Sequence, residues 1–137
     1  MLSKRVLLFS IAAIAAGSAV PVSAEEKANA ADPSVKLATV GIPVMSGNQV
    51  VNYLFLSIRI NLTAKANENK IRDMEPYFRD VLVRVSHSVS FGQPDHSDLL
   101  DEQRFKAVMT VEWSKITGPG AIKSIDILSQ SPKRHLS

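Results

Sequence analysis

Val50-Val51-Asn52-Tyr53-Leu54-Phe55-Leu56-Ser57-Ile58-Arg59-Ile60-Asn61-Leu62 is the stretch that decides the fold. Leu54, Leu56, Ile58, Ile60 and Leu62 point one way along it, and Ser57, Arg59 and Asn61 point the other. A period of two with one apolar face is the pattern of an antiparallel strand buried on one side only. Tyr53 and Phe55 fall on the polar side near its start, where they either cover a second small cluster or form a partner surface.

Towards the N-terminus, Ser46-Gly47-Asn48-Gln49 reads as a turn. It joins this strand to a β-prone run, Val35 to Met45, and makes a hairpin the expected pairing. Pro43 lies inside that run and confines it to a sheet edge or a bulge, because proline has no N–H to give to a second neighbour.

Towards the C-terminus the period changes near Ala66. Ile71, Met74, Phe78, Val81, Leu82, Val85 and Val89 recur in steps of three and four, which makes one apolar helical stripe. Glu68 with Arg72, Glu75 with Arg79, and Asp80 with Arg84 place an acid four residues before a base, an arrangement that supports a helix. Pro76 predicts a kink, or a short helix followed by a longer one with Pro76 in its first turn. Phe91 to His96 reads as a loop. Ser97 or Asp98 then caps a second helix running to about Ile116, with Phe105, Val108, Met109 and Ile116 inward. Gly118-Pro119-Gly120 stops that helix. Met109, Val111 and Trp113 also alternate with polar residues, so a strand competes over part of this span, and capping at both ends favours the helix. Ala121 to Gln130 is a closing strand. The expected fold is a small α/β (α+β) single domain over residues 35–131, with an antiparallel-containing sheet packed by two helices in the order strand–strand–helix–helix–strand.

The chain opens with Lys4-Arg5, an apolar core from Val6 to Ala16, and Pro21-Val22-Ser23-Ala24. A basic start, a short apolar core and small residues at the end are the parts of a secretory signal, with cleavage expected after Ala24. An uncleaved membrane anchor is the competing reading of residues 1–24, weakened by Gly17, Ser18 and Pro21. Export to the periplasm, or to the periplasmic face of the inner membrane, follows from both. Residues 25–34 read as a linker and residues 132–137 as a basic tail.

Composition narrows the function. Lys4 and Arg5 belong to the leading segment and every acid follows it, which leaves 14 basic against 13 acidic residues. Nucleic-acid binding needs a clustered positive face, and Lys133-Arg134-His135 alone does not make one. The chain has no cysteine, so thiolate metal sites, thiol nucleophiles, disulfides and a lipid-modified N-terminal cysteine are excluded. No Gly-x-Ser-x-Gly elbow or phosphate loop is present, and most of the helix acids have basic partners, so the chain reads as non-enzymatic with no cofactor. Asn61-Leu62-Thr63 matches a glycosylation sequon but sits at a strand end. His87, His96 and Asp98, with Asp95 beside them, are the one cluster of metal-ligand types, and their spacing matches no recognised site. A periplasmic small-ligand or metal-binding protein is therefore the alternative function.

The strand Tyr53 to Leu62 running into Glu75-Pro76-Tyr77-Phe78-Arg79-Asp80-Val81-Leu82-Val83-Arg84 resembles the periplasmic domain of the flagellar basal-body-associated FliL family, over roughly Val50 to Gln130. The resemblance implies a stomatin-like α/β domain without catalytic residues. It implies partners among flagellar motor and stator proteins, or self-association, in support of motility. Family members are anchored in the inner membrane, whereas the leading segment here looks cleavable and the linker is short. Under this reading Tyr53, Phe55, Tyr77, Arg79 and Arg84 are the candidate contact residues, since aromatic residues and Arg are the usual interface anchors.

Overall fold

A computed structural model of the chain describes residues 32–136, so the leading segment 1–24 and the linker up to residue 31 lie outside the described residues. Strand β3 (Gln49–Leu62) is the spine of the sheet. Strands β1 (Ser34–Lys36) and β2 (Val40–Ser46) lie end to end along one of its edges, and β6 (Ile122–Pro132) runs antiparallel along the other. Leu54, Leu56, Ile58, Ile60 and Leu62 are all buried, as their alternation requires. Pro43 sits opposite Tyr53 in β2, which pairs with β3 alone, and a bulge follows at Val44/Met45. The Val35–Met45 run therefore makes two strands where one was expected. The break at 37–39 has a physical cause: the Ala38 N–H turns away from the ladder to donate to Glu75 Oε2 at 2.7 Å.

Helix α1 (Glu68–Asp73) is capped by Asn67, whose side chain accepts from the Lys70 N–H. Met74 separates it from α2 (Glu75–Ser88), and Pro76 stands in the first turn of α2, where a missing N–H costs nothing. All three acid–base pairs form, Glu68–Arg72, Glu75–Arg79 and Asp80–Arg84. Helix α3 (Glu102–Thr117) settles the competing strand reading: Met109 and Trp113 are buried one turn apart while Val111 is 58% exposed. Trp113 Nε1–H donates to the Phe78 carbonyl at 2.9 Å and so ties α3 to α2 inside the core. Phe78, Trp113, Phe105 and Phe91 meet edge to face in a chain of contacts beneath the inner face of the sheet.

The helical stripe divides into a short helix and a longer one with Pro76 in its first turn, one of the two arrangements expected at Pro76, so three helices rather than two cover the sheet. The stretch 92–101 departs from the expected order. Ser97 and Asp98 do not cap a helix; they belong to β5 (His96–Leu100), which pairs antiparallel with β4 (Gly92–Gln93) in a second, two-stranded sheet. The cap of α3 is Asp101, which accepts from the Arg104 N–H at 3.2 Å. Burial of Leu100 outweighs the earlier capping signals and holds 96–100 extended. The basic tail is docked by its backbone, Lys133 N–H to Tyr53 O at 2.9 Å and Leu136 N–H to Asp98 Oδ2 at 3.1 Å, while its side chains stay exposed. No helix among the described residues is long and apolar enough to cross a membrane.

Candidate functional site

The helices and the core occupy one face of the sheet, and the other face carries Tyr53, Phe55, Ser57, Arg59 and Asn61 of β3. Register places Gly41 and Pro43 of β2 beside Phe55 and Tyr53, and Ser131, Ser129, Asp126 and Ser124 of β6 beside Phe55, Ser57, Arg59 and Asn61. This outer face has two halves. In the polar half, Asn61 Nδ2 donates to Ser124 Oγ and to Asp126 Oδ2, both at 2.9 Å, and Arg59 Nη2 donates to Asp126 Oδ2 at 3.1 Å. The hydrogen bonds from Asn61 and then Arg59 hold the Asp126 carboxyl below the usual carboxylate range.

The other half is aromatic. Phe55 packs against Gly41, so close that a Cβ there would come within 2.9 Å of the ring. Tyr53 lies next to it under the Lys133 ammonium, 5.7 Å from the ring centroid. The rings remain 43% and 39% exposed, and no described element covers them. Asn52, the inward residue just before Tyr53, is only 2% exposed. Its amide donates to the Arg134 carbonyl at 2.8 Å and accepts from the Arg134 N–H at 3.0 Å, so one side chain pairs with the tail as a strand backbone would. That clamp fixes Lys133 beside Tyr53.

The five expected contact residues fall on two surfaces. Tyr53 and Phe55 share the outer face. Tyr77, 64% exposed, stands on α2 with Arg79 and Arg84, and α2 packs Phe78 and Leu82 against the opposite, inner side of the sheet. Arg79 is engaged by Glu75 at 2.8 Å and Arg84 by Asp80 at 3.1 Å. The metal-ligand types do not converge. His87 is exposed on α2 with Nδ1 at 2.8 Å from the Val83 carbonyl, which fixes the proton on that nitrogen and leaves only Nε2 free. His96 Nδ1 lies 4.0 Å from Asp98 Oδ1, and Asp98 Oδ2 is occupied by the Leu136 N–H. Among the described residues no group of three or more His, Cys, Asp or Glu side chains is placed to hold a metal ion.

Sequence reasoning passed over Asn52, Gly41 and Lys133. A polar residue at an inward position of an otherwise apolar strand face is a signal that Asn52 carried. The contact of Lys133 with Tyr53 had none, since the two are joined only by folding. Compared with known protein families and with characterised proteins, the chain matches none.

Proposed function

We propose that this protein is an exported, non-catalytic interaction module, FliL-like in role, that engages a protein partner through the aromatic half of its outer sheet face. The observation that carries this reading is the pairing of Tyr53 and Phe55, side by side and uncovered by any described element, on a face that is otherwise hydrogen-bonded to itself. Large rigid aromatics that give up little conformational freedom are the side chains on which interfaces concentrate their energy. The face is held from beneath by the buried β3 positions, so a partner meets a surface that is already formed. Tyr77 with Arg79 and Arg84 is a second, separate contact surface on the helical layer. The partner under this reading is a component of the flagellar motor or stator, or further copies of the chain. The basic, apolar leader ending at Ala24 supplies the export.

Deleting the gene in the source organism and scoring soft-agar swimming, with microscopy for assembled flagella, tests the role. Cells that build flagella but swim poorly support it, and normal swimming removes it. Complementation with the double variant Tyr53→Ala, Phe55→Ala then tests the surface. It is expected to leave the melting temperature nearly unchanged and fail to restore swimming, whereas full rescue would assign the role to another face.

A further inference from the structure

A cavity of about 260 Å³ lies at the far end of the sheet from Tyr53, between α1 and the turn that joins α3 to β6. Its lining is mixed: Ile71, Met74, Ile116 and Ala121 supply an apolar part, and Asn67 and Thr117 add polar groups beside it. Lys65 and Lys70 stand at its rim, both exposed, and neither has an ion-pair partner among the described residues. No acid lines it. We propose that this cavity binds a small amphipathic monoanion: a carboxylate held between the two lysines, with a short apolar tail in the pocket.

The site is built before any ligand arrives. Gly118 and Gly120 take positive φ values of 87° and 82°, which lets the α3–β6 turn double back over the opening. Thr63 pins that turn, its Oγ1–H donating to the Gly120 carbonyl at 2.6 Å and its N–H to the Ala121 carbonyl at 2.9 Å. The Asn67 cap fixes the start of α1, so the position of Lys70 is set by the fold. Pro119 and Gly120, part of the helix stop in the sequence, thus also line one wall. The volume lies just under the roughly 300 Å³ at which pockets for drug-sized molecules begin, so the tail is a few carbons long. Two cations at the rim repel an amine and attract a carboxylate more strongly than a neutral hydroxyl, which selects the anion. This site shares no residue with the outer face and does not depend on the motility reading.

The test is an amide chemical-shift titration of the full chain with hexanoate, and in parallel with hexan-1-ol and hexylamine. Hexanoate is expected to bind saturably with a Kd on the order of 1 mM, shifting the amides of Ala66, Ile71, Ile116 and Ala121. Hexanol is expected to bind at least about threefold more weakly. The double variant Lys65→Ala, Lys70→Ala should weaken hexanoate by about three- to fivefold and leave hexanol unchanged. Both lysines are exposed, so the fold survives their loss. Absence of saturable shifts up to about 50 mM would overturn the proposal, as would shifts confined to the outer sheet face. Equal affinity for hexanoate and hexanol, or no effect of the lysine pair, would remove the anion assignment and with it the proposal.

Discussion

Asn52 shows how much one side chain can decide. An asparagine at an inward strand position leaves a donor and an acceptor to satisfy in an apolar layer, and here the backbone of Arg134 meets both. Asn52→Ala is therefore expected to destabilise by about 1–3 kcal/mol, the range for leaving buried partners unpaired. It should also speed amide exchange at Lys133 and Arg134. A variant with unchanged urea midpoint and unchanged exchange would show that the tail is held some other way. Asp126 makes a smaller, pH-dependent contribution. Its folded pKa is lowered, so the stability it adds is present above the unfolded value of about 3.9 and is lost as pH falls through the folded value. Arg59 and Asp126 are 44% and 41% exposed, which limits the effect to roughly 0.5 kcal/mol or less. The stability gap between the wild-type chain and Asp126→Asn should close as pH is lowered from about 5 to 2 in urea titrations; a gap that widens would contradict the assigned hydrogen bonds.

Element by element, legibility follows how local the deciding force is. The alternation from Leu54 to Leu62 and the stripe through Phe78 and Leu82 were readable because burial selects the same face at every repeat. Pro76 was readable because its missing N–H allows so few positions. The strand at 96–100 was not: Ser97, Asp98 and Asp101 are all capping residues, and what chooses Asp101 is Leu100, buried and paired with Gly92 across a turn. The break at Ala38 was hidden likewise, since its hydrogen-bond partner Glu75 lies 37 residues on. Of the candidate site, the exposure of Tyr53 and Phe55 was legible from parity, but the separation of Tyr77 from them needed the packing of α2. Gly92 was silent in sequence, yet β4 depends on it. A Cβ there would approach Val44 Cγ1 to 2.5 Å, and Val44 is buried and stiff at χ1. Gly92→Ala should cost about 1–3 kcal/mol by overpacking, read from thermal or urea unfolding; a loss below about 0.5 kcal/mol would mean the small sheet shifts freely.

At the scale of the whole molecule the sheet is closed by distant partners, with β3 holding the first described strand on one edge and the last on the other. The Leu62 N–H donates to the Pro33 carbonyl, and the Thr63 N–H to that of Ala121, so the central strand gathers both ends of the domain. Among the described residues, every buried hydrophobic residue of the core lies between Val35 and Ile125. Both outer edges of the four-stranded sheet are unattractive to another strand, β2 through Pro43 and a bulge, β6 through two register shifts. Stability carried by the core of the described residues predicts that a chain starting at Asp32 melts within about 2 °C of the full chain, since 1 kcal/mol corresponds to about 4–8 °C in a domain of this size. Differential scanning calorimetry on the two proteins decides it. A fall of more than about 4 °C would mean that residues before Asp32 contribute contacts worth about 1 kcal/mol. Equal melting would place the folding stability in the residues from Asp32 onward.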